Sequence, residues 1–236
     1  MSHRHKLAIM QPYFLPYIGY FQLMEKVDAF VVFDDVSFIN KGWINRNRIC
    51  INGAAHLFTI PLLNASQNRR ICDIAISPDM SWRKKLLKTF HQAYLKAPQF
   101  ERVFPLVEEI LLFPSDQLSA FLLNSIEQIH KRLELRTELI PSSRCYGNAE
   151  IKGQERIIDI CRQEDAHVYI NPPGGKELYD ENAFAAAELE LKFLTPVLDP
   201  YPQGGSPFLA GLSIIDVLMN NDPSAISRHL SHGAVS

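Results

Sequence analysis

The chain lacks a cysteine pair, a histidine cluster, a long apolar run and an excess of either charge. Its four cysteines, Cys50, Cys72, Cys145 and Cys161, lie far apart with no C-x-x-C spacing, which argues against a disulfide framework or a zinc knuckle. Reduced, mostly buried thiols are expected. The eight histidines fall as His3 and His5, His229 and His232, and four isolated ones, none at metal-ligand spacing. No G-x-S-x-G elbow or Walker loop is present. No apolar stretch approaches the roughly 20 residues that cross a bilayer, and the opening residues carry no signal-peptide pattern. A cytoplasmic protein without a membrane span is therefore expected. The 24 Lys and Arg nearly balance 26 Asp and Glu, a formal charge of −2, so DNA binding is not indicated and any anion site must be local.

What is present is an ordinary globular composition, 47% hydrophobic and 21% charged over 236 residues, enough to bury a substantial core. No composition break divides it, and a single α/β domain over residues 1–236 is expected. Lys6 to Met10 reads as a buried strand, Ile18 to Lys26 as a helix and Asp28 to Phe33 as a second strand, the start of a parallel pair. Arg48 to Ile51 and His56 to Pro61 flank Asn52-Gly53, a hairpin signal that predicts a mixed sheet. From Ser81 the spacing becomes helical: Trp82, Leu86, Leu87, Phe90 and Tyr94 share a face, with Arg83, Lys84, Lys85 and Lys88 mostly elsewhere. A second helix follows Phe100, disturbed or started by Pro105, and a third starts near Asp116 with Ser115 as its cap. These make a helical insertion at about 79–135. Beyond Pro141, GQERIIDICRQEDA, HVYINP, ENAFAAAELE and LKFLTPV alternate helix and strand. LSIIDVLMNN is the last clear helix, ended by Asp222-Pro223, and the tail ISRHLSHGAVS reads as loosely attached.

In an open α/β sheet ligands bind at the carboxyl ends of the strands, and three loops leaving strands stand out. QPYFLPYIGYF offers Gln11, Pro12, Tyr13, Tyr17, Gly19 and Tyr20, stacking faces and a close-approach glycine on a stiffened path. A proline-rich turn is the alternative. DDVSFINKGWINRNRI combines a carboxylate pair, Asp34 and Asp35, with Lys41, Trp43, Asn45, Arg46, Asn47 and Arg48. The aspartates could receive ribose hydroxyls, bind Mg²⁺ or act as a general base, and the cations could hold phosphate or carboxylate. A helix cap beside a solvated basic hairpin is the alternative. INPPGGKELYDENAF begins with Asn171 and carries Gly174, Gly175, Lys176 and Tyr179, successive backbone donors with a cation beside them, or simply a tight turn. Further on, Tyr201 and Gln203 precede a glycine pair, and Ser213 with Asp216 suggests a capping pattern on the last helix.

QPYFLPYIGYFQL, DDVSFINKGWINRNRI, YINPPGGKELY and LSIIDVLMN, in that order, resemble the WbqC-like family over almost the whole chain. The resemblance implies a role in surface-polysaccharide and O-antigen production. FLPYIGYFQL is also similar to the F-x-P-x-H-x-G-H-x-x-L loop of nucleotidylyltransferases and class I aminoacyl-tRNA synthetases. Gly19 and Leu23 match, whereas Tyr20 stands where the second histidine would be and no histidine precedes Gly19. That resemblance implies a Rossmann-like (HUP-type) fold, mainly parallel, without the histidine chemistry. The expected function is group transfer, acyl or aminoacyl, to a nucleotide-activated amino sugar or related phosphorylated intermediate. Asp34, Asp35 and Lys41 form the candidate catalytic set. Mg-dependent nucleotidyl transfer and non-catalytic sugar-nucleotide binding are the alternatives. RNA contact through the basic face at Arg83 to Lys88 would matter only with an aminoacyl-tRNA donor.

Overall fold

The structure, a computed structural model, describes residues 4–204 and 207–236. The chain opens with β1 (Lys6–Met10), α1 (Ile18–Glu25) and β2 (Ala29–Val32). Their apolar residues alternate between two covered faces, as a strand period of two requires: Ala8 and Phe30 face one core, Leu7, Ile9, Ala29 and Val31 the other. The long crossover to the next sheet strand contains β3 (Arg46–Ile51), β4 (Ala54–Thr59), β5 (Leu62–Leu63) and β6 (Ala75–Ile76), then α2 (Ser81–Tyr94), α3 (Phe100–Leu112) and α4 (Leu118–Arg132). The chain then returns through β7 (Glu138–Ile140), α5 (Gly153–Gln163), β8 (Val168–Asn171), α6 (Glu181–Ala186) and β9 (Glu190–Thr195), and ends with α7 (Ile214–Asn220), α8 (Pro223–Ser231) and β10 (Ala234–Val235).

The main sheet has the order β10-β9-β8-β1-β2-β7, parallel from β9 to β7 with β10 antiparallel at the edge. Counted in chain order, the five parallel strands run 3-2-1-4-5, the Rossmann-like arrangement, whose order reverses between β1 and β8. One face is covered by α5 and α6 through Ile157, Cys161 and Phe184. The other carries the larger core, to which α1, α2, α3, α4, α7 and α8 all contribute.

Several expectations are corrected. The hairpin forms, with Asn52 and Gly53 at φ 51° and 74°, the pair of positive angles that a two-residue type I′ turn needs. It makes its own two-stranded sheet, however, and the main sheet is mixed only through β10. Strands β5, β6 and β7, two or three residues long, are too short to show an apolar alternation in sequence. Pro105 neither starts nor ends α3; the buried Val103, Val107, Ile110 and Leu111 hold the helix past the one bond that proline removes. Ser115 does not cap α4: its hydroxyl accepts from the Gln117 amide at 3.1 Å and the helix begins after that turn.

The basic face of α2 is interrupted, because Arg83 is buried and its guanidinium donates to the carbonyls of Leu111, Phe113 and Ser115. Asp222-Pro223 starts a helix as well as following one: the Asp222 carboxylate accepts from the Ala225 amide at 2.8 Å and Pro223 takes the first position of α8. The tail is tied down. Buried Gln22 donates to the carbonyls of Val197 and His229 at 2.8 and 2.6 Å, and Phe193 and Ser236 exchange two backbone bonds. The four cysteines are free, but Cys145 is exposed and Cys72 half-buried.

Candidate functional site

A cavity of about 400 Å³ opens at the carboxyl ends of β1, β8 and β9, over the point where the strand order reverses. Seven of the residues singled out from sequence line it: Tyr13, Tyr17, Gly19, Tyr20, Trp43, Asn47 and Arg48. The remaining wall comes from Met10, Pro16, Leu23, Pro172, Leu194, Pro196 and Gly211. Pro172 belongs to the third of the loops singled out from sequence, whereas Leu194, Pro196 and Gly211 were not candidates.

The loop after β1 is built around a left-handed residue. Leu15 is fully buried at φ 46°, a conformation that costs about 1–3 kcal/mol unless its surroundings hold it. The Asn47 amide donates to the carbonyls of Phe14 and Leu15 at 3.2 and 2.6 Å, and the Ser213 hydroxyl donates to Leu15 at 3.0 Å. The Ser213 amide donates in turn to the Arg48 carbonyl, and the Ile214 amide to Pro16, both at 2.8 Å. The start of α7 thus locks the tyrosine loop to β3, which brings Trp43 and Arg48 opposite the tyrosines.

Tyr13 and Tyr20 pack with ring centroids 5.9 Å apart, and the Tyr20 hydroxyl donates to the Gln11 carbonyl at 3.2 Å. Burial raises the phenol pKa of Tyr13, Tyr17 and, most strongly, Tyr20. These phenols stay protonated; Tyr13 and Tyr17 can donate to a ligand, whereas the Tyr20 proton is spent on Gln11. Gly19 lets the Tyr17 ring lie where it does: a Cβ there would fall 2.4 Å from that ring. Pro12 is buried beside this loop.

On the facing wall the Arg48 guanidinium lies 5.2 Å from the Trp43 ring centre and Arg46 lies 5.9 Å from it. Arg46 is occupied by its own turn, donating from Nε to Gly42 at 2.9 Å and from Nη2 to the Lys41 carbonyl. The buried Nε of Arg48 has no hydrogen-bond partner, a deficit of about 1–3 kcal/mol for a polar group without water. Asn45 donates to the Ile60 carbonyl at 2.8 Å, and Lys41 is exposed at φ 59° outside the cavity lining.

Asp34 and Asp35 follow β2 and are absent from that lining. Both are buried among partners the sequence did not disclose. Arg156 Nη2 donates to both Asp35 oxygens at 2.8 and 2.7 Å, its Nε donates to Asn148 at 2.9 Å, and the Ser143 hydroxyl also donates to Asp35. Asp34 accepts from the Ser142 hydroxyl at 2.6 Å and lies 3.8 Å from Arg144. Burial raises the Asp34 pKa above its ordinary value, outweighing Ser142 and Arg144. The pair does not fit a Mg²⁺ site, since both Asp35 oxygens are committed to a guanidinium where a cation would be repelled. Among the described residues no group of three or more His, Cys, Asp or Glu is placed to hold a metal.

The third loop reaches the cavity through Pro172. Asn171, Gly175 and Tyr179 turn to the α5 and α6 side, where Tyr169 donates to Asn171 at 3.3 Å and meets the Tyr179 hydroxyl at 3.4 Å. A Cβ on Gly175 would collide with the Asn171 amide at 1.8 Å. The Gly175 amide is spent on the Pro172 carbonyl at 3.0 Å, Gly174 is exposed, and Lys176 Nζ sits 5.4 Å from the Phe193 ring centre.

Tyr201 and Gln203 belong to a separate buried hub. The Tyr94 and Tyr201 hydroxyls and the Gln203 amide donate to the Asp216 carboxylate at 2.7, 2.9 and 3.0 Å. Ser213 does cap α7, accepting from Ile215 at 3.3 Å, while Asp216 faces this hub and completes no capping pattern. No local signal marked Tyr94 or Arg156, because their partners lie more than a hundred residues away.

No helix among the described residues is long and apolar enough to cross a membrane. No solved structure matches the chain. The uncharacterized protein Rv1507c of Mycobacterium tuberculosis (strain ATCC 25618 / H37Rv) is 27% identical over 218 residues, 91% of this chain and 93% of that one. Residues 11–228, which include the tyrosine loop, Trp43, Arg48 and Asp216, match the model of the WbqC-like protein family, and the chain belongs to that family.

Proposed function

We propose that the cavity is the substrate site of an enzyme of surface-polysaccharide assembly, which transfers an acyl or aminoacyl group to an amino sugar carried as a nucleotide-activated or phosphorylated intermediate. The observation that carries this reading is the cavity's position. It lies where a Rossmann-like sheet reverses strand order, the place where such folds bind ligands. Its walls suit a sugar: aromatic faces stack on the apolar side of a ring, protonated phenols donate to its hydroxyls, and Arg48 supplies a cation for phosphate. In this reading Asp34, which burial makes a stronger base than an ordinary aspartate, is the general-base candidate of the acidic pair, and the acceptor extends from the cavity to the end of β2 to reach it. Asp35 positions it through the shared loop and the Arg156 ion pair.

One observation favours a second reading, a non-catalytic binder of the same ligand: no carboxylate or imidazole is found in the cavity lining among the described residues. A thermal-shift screen against nucleotides, amino-sugar phosphates and nucleotide sugars, followed by a turnover assay with the stabilising ligand and acyl donors, separates the two. A ligand at 100 times its Kd adds about 2.7 kcal/mol of stability. Under the enzymatic reading Asp34→Asn keeps the shift and loses turnover by about 100-fold or more. Under the binding reading the wild-type protein shows the shift and no turnover. Absence of any shift would remove both.

A further inference from the structure

We infer that the cavity takes one sugar ring and one singly bridged phosphate, with Arg48 as the anion contact, so that the sugar-phosphate end of an activated sugar sits inside and any nucleoside lies beyond it. The inference rests on the reading of the cavity as the substrate site and narrows it to a ligand class.

Arg48 is the charged residue of the lining. Among the described residues its guanidinium has no hydrogen bond or ion pair, and its buried Nε is unpartnered. Arg46, which also lies over the Trp43 ring, is engaged by the Gly42 and Lys41 carbonyls. The Trp43 ring holds one side of the Arg48 guanidinium at 5.2 Å, and with no hydrogen bond spent the group keeps its donors for an anion's two oxygens. Its backbone is fixed from both sides: its amide donates to the Asn47 side chain and its carbonyl accepts from Ser213, each at 2.8 Å. One cation in an apolar cavity offsets one phosphate; a second phosphate there would be desolvated without a partner. The volume agrees, since about 400 Å³ lies near the low end of the roughly 300–1,000 Å³ of ligand pockets.

The test measures binding to the full chain by calorimetry with four probes: glucosamine 1-phosphate, UDP-N-acetylglucosamine, free glucosamine and inorganic phosphate. Wild type, Arg48→Met, Arg48→Lys and Tyr17→Ala are compared, with unfolding midpoints as folding controls. Glucosamine 1-phosphate is expected to bind within about tenfold of the nucleotide sugar, or tighter, and Arg48→Met to weaken both by about 10- to 100-fold. Arg48→Lys should recover part of that loss, and Tyr17→Ala should weaken sugar-containing probes but not inorganic phosphate. Binding of the nucleotide sugar more than about a hundredfold tighter than the sugar phosphate would put the nucleoside in the cavity and overturn the inference alone. So would loss of affinity in Tyr17→Ala with none in Arg48→Met or Arg48→Lys. If no probe binds, or if neither wall responds, the substrate-site reading falls and the inference falls with it.

Discussion

Gly19 shows how one missing side chain can shape a cavity wall. It sits inside α1, where alanine is the better helix former by about 1 kcal/mol, yet the Tyr17 ring occupies the space a Cβ would take. The obstacle is the far end of a side chain that can swing, so Gly19→Ala should leave the unfolding midpoint nearly unchanged while displacing Tyr17. Affinity for a sugar phosphate should then fall by up to about tenfold, the worth of one aromatic contact. Lost stability with unchanged affinity would show that Tyr17 supports the fold instead. The sequence exposed this contact in part: Gly19 and Tyr17 stood out in a proline-stiffened loop. That Tyr17 lies on Gly19 depends on the lock formed by Asn47 and Ser213, which are distant in sequence.

At the scale of elements, α2 shows why charge patterning misled. Lys84, Lys85 and Lys88 are exposed as read, but Arg83 turns inward between Trp82 and Phe121, 4.7 and 4.8 Å from their ring centres. There it donates to the carbonyls of Leu111, Phe113 and Ser115 around the end of α3, where a helix leaves acceptors unpaired. Arg83→Met should destabilise the chain by on the order of 3 kcal/mol in denaturant titration, because buried carbonyls lose a charged donor. Substituting Lys84 or Lys88 by alanine should stay within about 0.5 kcal/mol. Equal effects at all three positions would return Arg83 to the solvent face. Arginine is read as exposed from local spacing because its burial requires acceptors, and here they come from residues 111–115.

At the scale of the molecule, the end of the chain closes the sheet. Helix α8 packs on α1, Gln22 spans to His229, Lys26 donates to Ser231, and β10 covers the edge of β9. Removing residues 222–236 would bare the edge of β9, uncover the face of α1 on which α8 packs and take from buried Gln22 its His229 acceptor, which favours aggregation. The truncated chain is expected to lose most of its soluble yield and its cooperative unfolding. A soluble truncation with an unchanged midpoint would show that the tail is dispensable.

The sequence by itself determined the repeating strand and helix units, the hairpin and the run of helices in the middle of the chain, and it marked a tyrosine loop and Arg48 as candidates. These are local: apolar period, turn chemistry and side-chain type are written within a few residues. Only the tertiary structure decided that Arg48 remains available while Arg46 is consumed, that Asp34 and Asp35 sit with Ser142, Ser143 and Arg156 away from the cavity lining, and that Asp216 faces a hub of Tyr94, Tyr201 and Gln203. Each of those outcomes depends on which buried polar group has a partner within reach, and the partners come from chain segments that meet only when the parallel sheet and its long crossover bring them together.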